Sequence, residues 1–89
     1  MTLQLSTTKQ FEKDVARTKK RGKDMMKFRC VLDQLILQKD LPIKYKKHRL
    51  ISNFKDRWEC HIEPDWLLIY YVDHEHLRLE RMGSHSDLF

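Results

Sequence analysis

Residues 58–83 read WECHIEPDWLLIYYVDHEHLRLERMG, and this stretch decides the fold. Trp58, Cys60 and Ile62 alternate with Glu59, His61 and Glu63, which is the period of a strand with one apolar and one polar face. Pro64-Asp65 is turn chemistry. Positions 66–72 are almost wholly apolar, as in a central strand covered on both sides. Asp73-His74-Glu75 reads as a further turn, after which Leu77 and Leu79 alternate with Arg78 and Glu80 until Gly83. Strands joined by such short turns predict an antiparallel meander. Residues 84–89 read as a short tail.

Upstream, Leu3 and Leu5 alternate with Thr2, Gln4 and Ser6, a short strand signal. The run 7–10, TTKQ, has the pattern of a capping box, with Thr7 at the cap and Gln10 three residues on. Phe11 and Val15 follow at helical spacing, so a helix is predicted to about Lys20, broken by Gly22. Asp24 can cap a second helix. Met25, Phe28, Leu32 and Leu35, with Val31 and Ile36 beside them, form one apolar stripe that reads as core. Pro42 stops this helix, and residues 40–54 read as a connector. The predicted fold is α+β with the order β-αα-βββ: a helical hairpin packed on one face of an antiparallel sheet, in a single domain over residues 1–89.

With 89 residues, the chain buries only about 60–65% of its unfolded surface, so function is expected on the rim of a modest core. Lys and Arg total 18 against 13 Asp and Glu, a net charge of +5, which suits a polyanion or an acidic protein partner. No apolar run approaches the roughly 20 residues that span a bilayer. The start, MTLQLSTTKQ, lacks the basic and apolar regions of a secretory signal, so a cytoplasmic location without membrane association is expected. Cys30 and Cys60 are expected to be reduced, and their separation matches no zinc pattern. There is no repeat and no glycine-rich phosphate loop.

The chain has five histidines. His74 and His76 lie two apart, but they flank a turn and have no Cys or third His at ligand spacing, so they read as exposed hairpin residues and no metal or other cofactor is expected. His61, Asp65, Arg81 and His85 all fall at or near strand ends, where a small meander can bring them together. His exchanges protons near neutral pH, and Arg can hold a phosphate that gains charge. Those are the groups needed to cleave RNA without a metal. Lys44, Lys46, Lys47, His48 and Arg49 cluster around Tyr45 as either a solvated loop or a phosphate-contacting edge. Trp66 opens a buried strand and defaults to core, with base stacking as its other possible use. Phe89 is either tucked in beside Leu88 or a stacking surface.

The segments HIEPDW (61–66) and ERMGSHSDLF (80–89), with Lys23-Asp24-Met25 opening the second helix and His48 followed by Leu50, resemble the YafQ family of bacterial toxins within the RelE/ParE superfamily. The resemblance implies a RelE-like microbial RNase fold. It also implies the toxin of a type II toxin–antitoxin pair, a ribosome-dependent endoribonuclease that cuts mRNA in the ribosomal A site. The matching positions are His48, His61, Asp65, Trp66, Arg81, His85 and Phe89. They imply His85 as general acid, His61 or Asp65 as base, His48 in support, Arg81 on the scissile phosphate, and Phe89 positioning a base or closing the site. Lys46, Lys47 and Arg57 are added as substrate contacts. The implied partners are the ribosome, mRNA, and a small acidic antitoxin that dimerises through a DNA-binding part and takes the complex to its operator. Two departures stand out. Arg57 sits one position away from where relatives commonly carry an arginine, and a shift of one reverses the face of a strand. Phe54 replaces an expected Trp. A gyrase-poisoning relative and an inactive RNA- or antitoxin-binding relative are the alternative readings.

Overall fold

The computed structural model describes residues 2–50 and 56–89. The elements are β1 (Gln4–Thr7), α1 (Lys9–Lys20), α2 (Met25–Ile36), a 3-10 turn (Ile43–Tyr45), β2 (His48–Arg49), β3 (Trp58–Glu63), β4 (Trp66–Val72), β5 (His76–Gly83) and α3 (His85–Leu88). The predicted β-αα-βββ order is present. Two stretches hold more than the sequence suggested: the connector contains the 3-10 turn and β2, and the tail contains α3.

Thr8 caps α1 by accepting from the Phe11 N–H at 3.0 Å. The cap is therefore one residue later than the box predicted, and the Gln10 amide donates to Asp14 instead. Asp24 caps α2 through the Met26 N–H, as predicted. Val31, Leu32 and Leu35 are buried, and Met25, Phe28 and Ile36 pack beside them. This helix ends well before Pro42, where Gln38 takes a left-handed φ of 58°. Pro42 instead opens the 3-10 turn. Ser84 and Asp87 cap α3 reciprocally, a box that was already present in the sequence as Ser84-His85-Ser86-Asp87.

The sheet order is β1-β5-β4-β3-β2. The meander is antiparallel, as expected, but β1 lies parallel to β5. The whole sheet is therefore mixed. The helical hairpin follows β1 and supplies the long crossover that a parallel neighbour requires. Beyond Leu79, α1 takes over the edge of β5: the Thr8 hydroxyl donates to the Glu80 carbonyl, Arg17 donates to the Met82 carbonyl, and Asp14 accepts from the Met82 N–H.

The two faces of the sheet differ. Cys60, Ile62, Trp66, Leu68, Tyr70, Leu77, Leu79 and Met82 face the helices in the main core. On the other face Leu67, Ile69 and Leu88 form a small second cluster with Leu50. Leu77 and Leu79 share odd parity, yet Met82 also reaches the main core. The strand can do this because the β4–β5 register slips between Ile69 and Tyr70. That bulge pairs Arg81, rather than Glu80, with Ile69. Among the described residues no helix is long and apolar enough to cross a membrane.

Candidate active site

Pairing across four strands places His48 opposite Glu59, Glu59 opposite Ile69 and Ile69 opposite Arg81. Residues paired across an antiparallel ladder share a face. His48, Glu59 and Arg81 therefore lie in one row over the small second cluster, and His61 lies in the neighbouring row opposite Leu67. The β5 bulge is what brings an arginine, and not an acid, into that row.

Glu59 joins the site without standing out as a candidate in the sequence. It is 4% exposed, and its Oε1 lies 3.2 Å from His48 Nε2 and 3.3 Å from His61 Nε2. Strict alternation in 58–63 puts Glu59 on the His61 face, and that was the available signal. The pairing with His48 was not available, because β2 is a two-residue strand. Each imidazole is oriented from behind: His48 Nδ1 donates to the Lys46 carbonyl at 2.8 Å and His61 Nδ1 to the Pro64 carbonyl at 3.2 Å. A carbonyl can only accept, so both Nδ1 atoms carry hydrogen and both Nε2 atoms face the carboxylate. Among the described residues, His48, Glu59 and His61 each offer a donor atom, all within 4.8 Å of one another. Two imidazoles and a carboxylate are donors that divalent transition ions accept. His74 and His76, the histidines at closest spacing in the sequence, lie apart from this cluster, exposed beside Glu75 and Asp73.

His85 approaches from the start of α3. Its ring centroid lies 5.7 Å from that of His61, and His61 lies 6.1 Å from His48. Asp65 Oδ1 accepts both the His85 N–H at 2.8 Å and the His85 Nδ1–H at 2.6 Å. The backbone bond and then the side-chain bond hold the Asp65 carboxyl below the usual carboxylate range. With Nδ1 committed to an ionised acid, His85 is left with Nε2 to exchange a proton.

Arg81 is aimed by the buried Asp14 of α1, which accepts from Arg81 Nε at 2.8 Å and Nη2 at 3.4 Å. Burial pushes the Asp14 carboxyl up, but Arg81, the Met82 N–H and Gln10 more than offset this and leave it below its ordinary value.

The remaining candidates divide. Trp66 is 1% exposed inside the main core, so its ring is a packing element and not a stacking platform for a base. Phe89 is 65% exposed, while its neighbour Leu88 is buried, which leaves the Phe89 ring as a surface. Lys46 has a left-handed φ of 48° and points its carbonyl at His48. Lys47 Nζ lies 4.7 Å from the centre of the Trp58 ring. Arg57 has the same parity as Glu59 and His61, so the displaced arginine stays on the site face. There its Nε meets Glu80 at 3.1 Å and its guanidinium covers Tyr71. Phe54 lies outside the described residues.

The family model "Bacterial toxin of type II toxin-antitoxin system, YafQ" matches residues 3–89. The chain is 46% identical over 81 residues to the mRNA interferase toxin YafQ of Escherichia coli strain B/BL21-DE3, covering 90% of this chain and 88% of that protein. It superposes with a TM-score of 0.93, at 39% identity, on the crystal structure of the E. coli DinJ–YafQ toxin–antitoxin complex, covering 100% of this chain and 99% of that one. A metal-bound toxin from Helicobacter pylori matches at TM-score 0.91 and 40% identity, covering 98% and 99% of the two chains. The family match runs from residue 3 to residue 89 and so takes in every residue of the candidate site. The chain belongs to the YafQ family of toxins of bacterial type II toxin–antitoxin systems.

Proposed function

We propose that this chain is an mRNA endoribonuclease that halts translation and is held in check by a cognate antitoxin. The observation that carries this reading is the chain of three imidazoles, with successive centroids 6.1 and 5.7 Å apart, of which His48 and His61 share the Glu59 carboxylate in the row of an oriented arginine.

The geometry supports the following roles. Glu59, acting with His61, takes the proton from the ribose 2′-hydroxyl, and His48 holds the carboxylate from the other side. The freed 2′-oxygen attacks the adjacent phosphorus, and the bond to the 5′-oxygen of the next nucleotide breaks. His85 delivers the Nε2 proton to that leaving oxygen, with Asp65 holding its ring. Arg81, braced by Asp14, neutralises the charge gathering on the phosphoryl oxygens. The products are a 2′,3′-cyclic phosphate and a 5′-hydroxyl end. Asp65 thus serves His85 better than it serves as base, because its oxygen is already engaged at 2.6 Å. A transition ion held by His48, Glu59 and His61 would block the base, so zinc or copper is expected to inhibit.

The E. coli relative assembles with DinJ. By likeness, an acidic antitoxin for this chain, which carries a net charge of +5, would cover its basic surface, and its DNA-binding part would take the complex to operator DNA. The ribosome would present the message. Mapping 5′ ends on a translated message after induction tests the activity. New ends that disappear in the His85→Ala variant support it. An intact message under growth arrest points instead to a gyrase-poisoning or binding-only protein.

A further inference from the structure

A second recess adjoins the site and is not used by the chemistry above. β2 pairs only with Trp58 and Glu59, so from Cys60 onward the outer edge of β3 lacks β2 as a neighbour. The 3-10 turn and α2 stand off from that edge and leave a cleft of about 420 Å³. This lies within the range of small-ligand sites, roughly 300–1,000 Å³.

The walls of the cleft are chemically uneven. Tyr45, Ile62 and Pro64 give it flat apolar surface, Lys44 and Lys46 stand at its lip, and Cys30 of α2 borders it. Lys44 Nζ rests 5.1 Å from the centre of the Tyr45 ring. Glu63 would repel an anion, but Lys23 and Lys27 hold its carboxylate at 2.9 and 2.7 Å. His61 belongs both to the cleft and to the catalytic cluster. A strand of RNA with its 2′-hydroxyl at Glu59 and His61 therefore has the base of that same nucleotide beside the opening.

We infer that this cleft is the subsite for the base of the nucleotide on the 5′ side of the cut, with Lys44 and Lys46 meeting the next phosphate up the chain. The inference rests on the RNA-cleaving reading for its polarity. It makes the cleft, and not the imidazoles, the place where a preference at that nucleotide is set. Apolar and aromatic surface accepts the flat base, and the cations accept the backbone.

Cys30 is an exposed thiol at the cleft, whereas Cys60 is buried and its thiol is pushed up to about 12, chiefly by burial. Alkylation therefore reports on Cys30. The test measures its alkylation rate in the full chain with each of the four nucleoside 3′-monophosphates, which resemble the upstream product. A site of millimolar affinity filled at about 10 mM slows the reaction about tenfold. At least one 3′-monophosphate is expected to protect, and the 3′,5′-bisphosphate of the same nucleoside, which adds the phosphate that Lys44 and Lys46 meet, is expected to protect more strongly, with that gain lost in the surface variant Lys44→Glu. On a translated message, Lys44→Glu and Tyr45→Ala are expected to cut more slowly and with a changed preference at the 5′ nucleotide. The inference falls if no nucleotide alters the rate, if only an acidic peptide protects, or if both variants cut with unchanged preference. Failure of the wild type to cut any message would overturn the RNA-cleaving reading instead, a result separate from nucleotide protection of Cys30.

Discussion

Two Asp–His pairs sit at opposite ends of β5, and one of them belongs to the candidate site. At the β4–β5 hairpin, Asp73 accepts the N–H groups of Glu75 and His76, and His76 Nδ1 lies 3.4 Å away. At the other end, Asp65 accepts the His85 N–H and Nδ1–H across 20 residues of sequence. The local chemistry is nearly the same, but the surroundings differ. The hairpin pair closes its own turn and faces solvent. The Asp65–His85 pair points into a space shared with His61, His48 and Glu59. A His becomes useful for catalysis when unrelated strands deliver other groups to the same volume, because proton transfer needs partners at hydrogen-bond range.

The largest expected effect comes from testing that contrast directly. His85→Ala should lower message cleavage by about 10²–10⁴, while His76→Ala changes it less than about twofold. Similar rates for the two variants would erase the distinction. Next, Glu59→Gln should cost about 10²-fold and also weaken inhibition by added zinc, since the same carboxylate serves both. A single-turnover assay with and without a chelator reads both effects. Asp65→Asn should cost somewhat less, roughly 10–10² in rate, because the His85 ring loses its ionised acceptor while the nitrogen that delivers the proton remains. The pH–rate profile should change shape in this variant and keep it in Asp73→Asn.

The smallest effect is on stability. The Glu75 and His76 N–H groups hold the Asp73 carboxyl at about 2. The unfolded value is about 3.9, so this turn contributes fully above roughly pH 4 and loses its contribution as pH falls through the folded value. Urea midpoints of wild type and Asp73→Asn should therefore differ near neutral pH and converge in acid. A gap that stays constant across that window would mean that the turn does not depend on the ionised carboxylate.

The site was partly legible in the sequence. His61, Asp65, Arg81 and His85 stood out because catalysis draws on few side-chain types and these fell at strand ends. For Trp66 the default reading as core fits its burial, whereas the substrate contact that the family resemblance implied does not, because a residue next to a site can still face inward: the strand alternates, and Trp66 paired with Glu63 belongs to the core side. Glu59 was passed over because an acid on the polar face of a strand ordinarily meets water. Its burial arises from His48 and from the second cluster across the sheet, neither of which is near it in sequence.

The amino-acid sequence alone determined the helices, the meander and the chemical character of the rim. Each of these rests on periodicity, caps and turns within a few residues. Tertiary structure decided which groups meet. The parallel placement of β1, the capture of the β5 edge by α1, the bulge that sets Arg81 opposite Ile69 and the two-residue β2 that sets His48 opposite Glu59 are all pairings between distant segments. Such pairings depend on how whole faces pack and on which backbone groups remain to be satisfied, and a one-residue change of register would have sent the same side chains to the opposite side of the sheet.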